Sequence, residues 1–291
     1  MGLIDRLTLG PTRRRRRIRR QMRALDREYA AWARGRTRPR RHRVDVRGTA
    51  ALLVALGAGV LLVVAQPGLL PAPVRDLTGL GAKRLAPAPR PGGAGVFAFM
   101  AHQPGDPATP VAYDPCEPVK VRVNPAGGPA DAVELVRRAL AEVSAATGLE
   151  LRYDGLTDER PAWKSTFVPS VLGRPRTRPV LVSWAGQAEV PELAGDVAGI
   201  GGSVPVREAD GVVRYVTGGV TLDTDSFSRL AARADGGPLM RAIVLHELGH
   251  VVGLAHVSDP RELMNAGNVG LLDFGAGDRL GLARLGSGSC A

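Results

Sequence analysis

The strongest constraint on this chain is a cluster of three histidines within eleven residues, in a sequence that has only five histidines. The segment reads HELGHVVGLAH, with His246 and His250 four residues apart and His256 six residues further on. Side chains four residues apart lie on one face of a helix, as two ligands of the same metal must. Gly253 can adopt a left-handed conformation that ends this helix and turns His256 back towards the same point. The pattern therefore predicts a metal site held by three imidazoles.

The composition of this predicted site indicates a catalytic rather than a structural metal. Three neutral imidazoles leave one position of a tetrahedral zinc open for water, whereas a structural zinc is closed by a fourth protein ligand. Glu247 follows the first histidine, where its carboxylate can reach a metal-bound water and act as general base. We therefore expect one catalytic Zn²⁺ and assign the catalytic role to Glu247. Two other interpretations stay open, namely a core helix with incidental histidines and a metal site without activity.

The extended motif resembles the zinc signature of the metzincin metalloproteases. It is followed by DPRELM, in which Met264 comes eight residues after His256, and this interval resembles the matrixin branch of the family. The terminal segment 277–286, GDRLGLARLG, resembles the last matrixin helix. The resemblance implies a zinc endopeptidase that hydrolyses peptide bonds, with Gly253 and Met264 supporting the site.

The resemblance also implies the fold and the way in which a substrate binds. It predicts an α/β (α+β) catalytic domain with a mixed, roughly five-stranded twisted sheet above the site and three main helices. In the family a substrate peptide adds as a strand to the sheet edge above the zinc. Residues 198–203, AGIGGS, are the candidate edge, and a plain glycine-rich turn is the alternative.

This chain departs from the matrixin pattern in the segment after the methionine. Matrixins usually continue Met-Tyr-Pro, whereas Asn265 and Ala266 follow Met264 here. The first cysteine in the sequence is Cys116, so the residues before it hold no cysteine switch. The altered segment after Met264 keeps a second hypothesis open, in which the protein is a catalytically inactive, zinc-containing module of the cell surface that binds peptides.

Hydrophobic periodicity along residues 94–291 predicts a single folded domain that begins strand–helix–strand. The predicted strands are 119–123, 149–153, 180–184 and 212–222, the last broken at Gly218-Gly219, and the predicted helices are 130–147, 227–234, 238–252 and 278–285. Asp223 and Asp225 precede the second helix, where an N-cap and half of a calcium site are the alternatives. No other residue supports calcium.

The two cysteines lie near the two ends of this domain. Outside the cytoplasm, Cys116 and Cys290 would pair and tie the first strand to the C-terminus. Two separate thiols are the alternative. Their separation excludes a thioredoxin-type redox motif.

The positive charge of the chain belongs to its N-terminal tail. The net charge is +11, and residues 1–47 hold 17 Arg and four acidic residues, so residues 48–291 carry a net charge of −2. We expect this tail to be cytoplasmic, as a topology signal and a contact for anionic lipid. Nucleic-acid binding has charge alone in its favour, and a docking arm for a protein partner is a third interpretation.

Residues 48–66 are expected to form a transmembrane signal anchor. The stretch 49–65 contains no charged residue, and as a helix it would rise roughly 25 Å, near the thickness of the hydrocarbon layer. The arginines before it place the N-terminus inside and the following domain outside. Cleavage near Ala65 would instead release a secreted protein. Residues 67–93 are rich in Pro and Gly and are expected to be a linker to the peptidase-like domain, 94–291.

Overall fold

A computed structural model describes residues 83–163, 170–171, 174–175, 178–208, 211–267 and 270–290. The predicted basic tail, the predicted membrane anchor and residues 67–82 of the predicted linker lie outside these ranges. In the part of the chain that is described, no helix has the length and apolar character needed to cross a membrane.

The described residues form an α/β domain in which strands and helices alternate along the chain. The strands are β1 (Ala98–Phe99), β2 (His102–Gln103), β3 (Asp106–Pro110), β4 (Val119–Asn124), β5 (Leu151–Leu156), β6 (Ser170–Val171), β7 (Arg174–Pro175), β8 (Val180–Ala185), β9 (Gly199–Arg207), β10 (Val213–Asp223) and β11 (Leu254–Ala255). The helices are α1 (Ala132–Thr147), α2 (Thr224–Ala231), α3 (Gly236–Val252) and α4 (Ala276–Leu285), with a short 3₁₀ turn at Pro191–Leu193.

Five of the described strands form one mixed sheet in the order β5-β4-β8-β10-β9, which confirms the predicted five-stranded sheet. Neighbouring strands from β5 to β10 run parallel, and β9 pairs antiparallel with β10 at the edge. Residues 199–203 of the candidate segment 198–203 therefore belong to an edge strand, and the alternative of a plain glycine-rich turn does not hold. This edge lies next to α3.

The predicted break in the strand 212–222 was wrong. β10 is continuous through Gly218 and Gly219, which pair with Ser203 and Gly202 of β9. A Cβ at Gly218 would lie 2.4 Å from the carbonyl oxygen of Gly202. The glycine is therefore needed because the two strands approach closely, not because the strand ends there.

The core lies between one face of the sheet and the helices. Alternate residues of β4 and β8 are buried, including Val121, Val123, Val182 and Trp184. α1 presents one apolar side to this core and ends at Gly148 in the left-handed conformation, with φ 72°. Three of the described helices match the three main helices that were expected, and the eight-residue α2 is a fourth.

Residues 83–93, the described end of the predicted linker, run along the surface of the domain. The backbone N–H of Leu85 donates to the carbonyl oxygen of Pro115 at 3.1 Å, and the Arg84 side chain donates to Gly286. A Cβ at Gly148 would lie 2.6 Å from the carbonyl oxygen of Pro87. This part of the chain therefore contacts both α1 and the residues that follow α4.

The predicted disulfide between Cys116 and Cys290 is confirmed. The two Cα atoms are 5.4 Å apart although 174 positions separate them in sequence. The bond ties the loop before β4 to the C-terminal end of the described chain.

Candidate metal centre

The three predicted histidines meet at one point of the domain. His246 and His250 lie one turn apart on α3, with ring centroids 4.9 Å apart. The Nε2 atom of His256 lies 3.0 Å from Nε2 of His246 and 3.1 Å from Nε2 of His250. The ligand atoms of all three residues lie within 4.8 Å of one another. The cluster could therefore hold a metal ion.

A glycine makes the turn that brings the third histidine into place. α3 ends at Gly253, whose φ of 121° lies in the region that favours glycine. A Cβ at this position would lie 3.0 Å from Cδ2 of Leu285 and 3.1 Å from the ring of Tyr215. The backbone conformation requires glycine, and a side chain here would also be tightly packed. The chain then continues through β11 directly into His256.

The strand before His256 is held by β1, which the sequence did not predict. Ala98 pairs with Ala255, Phe99 pairs with Leu254, and the Met100 N–H donates to the carbonyl oxygen of Gly253 at 2.9 Å. A two-residue strand carries no periodic signal, which explains why it was missed. Through this pairing, the segment before the main sheet fixes the path of the chain that leads to His256.

Two backbone carbonyls set the tautomers of the histidines on α3. Nδ1 of His246 lies 2.7 Å from the carbonyl oxygen of Leu263, and Nδ1 of His250 lies 2.8 Å from that of Leu254. A carbonyl oxygen can only accept, so both Nδ1 atoms must carry the hydrogen. Both Nε2 atoms therefore present a lone pair to the centre of the cluster.

Desolvation favours the neutral form of the three imidazoles. Desolvation lowers the pKa of His250 to about 4, and it also lowers the pKa of His246 and of His256. The neutral form is the one that binds metals, because protonated imidazole has no free lone pair. His256 is exposed, so the cluster is open to solvent on its side.

The spacing of the donor atoms suits a metal of zinc size. Zinc–nitrogen bonds of 2.0–2.1 Å in a tetrahedron place two ligand nitrogens about 3.3 Å apart. The observed Nε2 separations of 3.0 and 3.1 Å are close to this value. Only three protein donors converge in the described cluster, so a metal bound there would keep a position open for water or substrate.

The side chain of Glu247, a residue of α3, lies against β9, the edge strand of the sheet. It is 6% exposed, and burial raises the pKa of its carboxyl group to about 8. Among the described residues, no group donates a hydrogen bond to this carboxylate. A Cβ at Gly199 would lie 2.9 Å from Cγ of Glu247. A Cβ at Gly201 would lie 2.3 Å from the backbone carbonyl oxygen of Glu247. The two glycines of β9 therefore create the space in which Glu247 lies.

Met264, predicted to support the site, is buried beneath α3. A Cβ at Gly249 would lie 2.7 Å from its sulfur atom, so the methionine packs against the turn of α3 between the two histidines. Met264 is 1% exposed. Its carbonyl oxygen accepts a hydrogen bond from Val257, the residue after His256, at 3.0 Å. Met264 therefore contacts both the helix and the chain that carry the ligands.

Two buried carboxylates, those of Glu262 and Asp278, support the loop that contains Leu263 and Met264. Neither residue was predicted to have a role. Asp278 is 1% exposed and accepts hydrogen bonds from the backbone N–H groups of Leu263, Met264 and Gly275. Glu262 is 2% exposed and accepts from those of Gly277 and Asp278. Nothing in the sequence distinguishes them from exposed acidic residues, because their burial arises only when the chain has folded.

The other candidate sites have ordinary structural explanations. Asp223 is the N-cap of α2 and accepts from the Ser226 N–H at 2.7 Å, which favours the capping interpretation over half of a calcium site. Asp114 lies close to Cys116 and Cys290, but the two sulfur atoms are bonded to each other. The histidine cluster is therefore the candidate metal site in the described residues.

Comparison with known proteins adds little to this picture. No family model matches the chain, and no curated protein matches it. Among solved structures, it is similar to the GM1-bound form of the ECX AB5 holotoxin with a TM-score of 0.33 and 12% sequence identity. That match covers 60% of this chain and 81% of the other. A similarity this low supports no statement about fold or function.

Proposed function

We propose that this protein is a zinc-dependent endopeptidase that hydrolyses peptide bonds with Glu247 as general base. The observation that carries the proposal is the convergence of the Nε2 atoms of three histidines, with the buried carboxylate of Glu247 next in sequence to the first of them. The motif's resemblance to the metzincin signature and the position of Met264 under α3 support the same conclusion.

The three imidazoles suit zinc better than a hard cation. Calcium and magnesium are bound by oxygen ligands, whereas the donors here are all nitrogens. His246, His250 and His256 would hold the metal through Nε2, leaving one position of a tetrahedron open. A zinc ion bound there would lower the pKa of its bound water towards ~7 and polarise the substrate carbonyl.

Glu247 would act on the protons of the reaction. Its carboxylate would accept a proton from the attacking water and then donate it to the nitrogen of the leaving amine. Burial raises the pKa of Glu247, which favours holding this proton between the two steps. A metal cation bound at the histidine cluster would lower the pKa of Glu247 again, which favours the charged carboxylate that accepts the proton from water.

The outer edge of β9, which pairs with no other strand of the described part of the chain, is the proposed binding site for the substrate backbone. The Asp223 N–H donates to the carbonyl oxygen of Ala198 at 2.9 Å. The alternation of an antiparallel ladder then turns the N–H and C=O groups of Gly199 and Gly201 away from β10. A peptide that added as a further strand would pair with these groups, directly above Glu247.

We also propose that the catalytic domain works outside the cytoplasmic membrane, anchored through residues 48–66. The anchor prediction comes from the charge-free segment and the arginines before it. The disulfide between Cys116 and Cys290 supports an oxidising compartment, because such bonds form and persist there.

The test compares the full chain, purified in detergent, with its Glu247→Gln variant on an unfolded protein substrate. We expect one zinc per chain in both proteins and loss of cleavage by about 10²–10⁴-fold in the variant, the usual contribution of a general base. Glu192→Gln, a change at an exposed position, is the matched control and should cleave like the wild type.

Two results would contradict the proposal. Equal cleavage by the wild type and Glu247→Gln would exclude Glu247 as the base. If the wild type, Glu247→Gln and Glu192→Gln all bound zinc and none cleaved the substrate, the hypothesis of an inactive peptide-binding module would be favoured. Binding of peptides by the wild type would then establish that hypothesis.

A further inference from the structure

We infer that Asp278, held in place by Glu262, is a positioning residue for the metal ligand His246 and acts on it through the Leu263–Met264 peptide group. This inference rests on the metal binding of the proposed function but not on peptide hydrolysis. Neither carboxylate touches an imidazole, so both act through the backbone.

The contact begins at the carbonyl end of the Leu263–Met264 peptide group. The Leu263 carbonyl oxygen accepts the hydrogen on Nδ1 of His246 at 2.7 Å. The N–H end of the same peptide group, that of Met264, points to Oδ1 of Asp278 at 3.4 Å. The Leu263 N–H donates to Oδ2 of Asp278 at 2.5 Å. One carboxylate and one peptide group thus link α4 to the first metal ligand.

A negative charge at Asp278 has a consequence for His246. A carboxylate that accepts from Met264 polarises the peptide group and makes the Leu263 carbonyl a stronger acceptor. The stronger hydrogen bond holds Nδ1–H in place and makes Nε2 a better donor to a metal. The same contacts fix the orientation of the ring relative to His250 and His256.

Glu262 holds Asp278 in the required position. Its two carboxylate oxygens accept from the backbone N–H groups of Gly277 and Asp278, both at 2.9 Å. The Asp278 carboxylate also accepts from the Gly275 N–H at 3.0 Å. The loop carboxylate Glu262 thus binds the first turn of α4, and the α4 carboxylate Asp278 binds the loop. The pair buries two acidic groups with backbone N–H groups as their partners, which is the arrangement that makes burial of a carboxylate tolerable.

Glycines allow this close contact. A Cβ at Gly277 would lie 2.7 Å from Oε1 of Glu262 and 2.2 Å from the carbonyl oxygen of Val96. A Cβ at Gly95 would lie 2.6 Å from the same Glu262 oxygen. The segment at Gly95 and Val96 therefore covers Glu262 and separates it from solvent.

The test measures zinc affinity in the full chain for the wild type, Asp278→Asn and a control. Asparagine keeps one acceptor oxygen but places an NH₂ group opposite a backbone N–H, so the contact to Leu263 or Met264 is lost. We expect zinc to bind about 10–100-fold more weakly, the usual effect of removing a group that orients a ligand. The visible spectrum of bound Co²⁺ should shift as well, because the geometry at His246 changes.

Asp223→Asn is the matched control. Asp223 is also a buried carboxylate at the N-terminus of a helix, but its side chain contacts Ser226 and has no contact with the loop that bears Leu263. This variant should lose stability while it keeps the zinc affinity and the Co²⁺ spectrum of the wild type. Wild-type affinity and spectrum in Asp278→Asn would overturn the inference.

A measurement on the wild type covers the case in which Asp278→Asn does not fold. Zinc should slow amide hydrogen exchange at Leu263 and Met264 more than at Gly267, whose N–H donates to the Asn265 side chain in the same loop. Equal effects at the three amides would overturn the inference.

The outcomes separate this inference from the proposed function. A wild type that binds zinc and cleaves nothing contradicts the peptidase and leaves the role of Asp278 intact. A wild type that cleaves, beside an Asp278→Asn variant with unchanged zinc affinity, contradicts the role of Asp278 alone. A wild type that binds no zinc overturns both.

Discussion

Nδ1 of His250 and the carbonyl oxygen of Leu254 lie 2.8 Å apart, across the turn that Gly253 makes. This contact leaves Nε2 of His250 as the atom that faces the other two imidazoles, 3.1 Å from Nε2 of His256. The turn at Gly253 therefore also positions the Leu254 carbonyl, which determines that Nε2 is the nitrogen of His250 that can bind a metal.

The first prediction concerns this histidine. His250→Gln should weaken zinc binding by more than about 100-fold, because loss of a group that merely orients a ligand already weakens it 10–100-fold. Competition with a chromophoric chelator measures the affinity. His102→Gln, a change at an exposed histidine on β2, should bind zinc like the wild type. If the two variants bound zinc equally well, His250 would not be a ligand.

The histidine cluster could be predicted from the sequence because its three ligands lie within eleven consecutive residues. Helical periodicity places His246 and His250 on one face, and the glycine turn brings His256 back towards them. The disulfide was predictable for a different reason, since the chain offers only two cysteines.

The surroundings of the cluster could not be predicted, because they depend on contacts between distant segments. Asp278 meets Leu263 only after α4 has packed beneath the loop, and Gly218 lies within a strand because β9 approaches it closely. A glycine pair has the same sequence signal whether it ends a strand or lets two strands approach. The predicted break at Gly218-Gly219 failed for this reason.

The second prediction concerns the glycines of the edge strand. Gly201→Ala should lower the free energy of unfolding by about 1–3 kcal/mol, because its Cβ would lie 2.3 Å from the carbonyl oxygen of Glu247 and force β9 away from α3. Urea unfolding followed by circular dichroism measures the change.

Gly237→Ala is the control for this substitution. No atom lies within 4 Å of a Cβ at Gly237, which is in the first turn of α3. This variant should be neutral or more stable by up to about 1 kcal/mol, since alanine is the better helix former. Equal destabilisation by both changes would mean that the close approach of β9 to α3 is not what excludes a side chain at Gly201.

The third prediction concerns pH and follows from a hydrogen-bonded chain between Tyr113, Ser203 and Val251. The Ser203 hydroxyl donates its hydrogen to the Val251 carbonyl oxygen at 2.7 Å. The Tyr113 hydroxyl lies 2.7 Å from Oγ of Ser203 and must therefore be the donor in that contact. Burial raises the pKa of Tyr113, and it raises the pKa of Tyr215 from 10.0 to about 12.

The sign of the pH effect follows from these raised values. Between pH 10 and about 12 the folded chain keeps protons that the unfolded chain loses, so the free energy of unfolding falls as the pH rises. Below pH 10 this contribution is fully present. Absorbance at 295 nm should show Tyr113 and Tyr215 ionising later than an unperturbed tyrosine, above pH 10. Tyr113→Phe should remove one of these two delayed steps, and ionisation of all tyrosines near pH 10 in the folded protein would contradict the assignment.

X-ray absorption at the zinc edge of the purified full chain tests the central claim most directly. We predict one zinc per chain with three imidazole nitrogens and one oxygen at about 2.0–2.1 Å, because His246, His250 and His256 supply three of four tetrahedral positions. A folded protein without zinc, or a zinc closed by a fourth nitrogen or a sulfur of the protein, would contradict it.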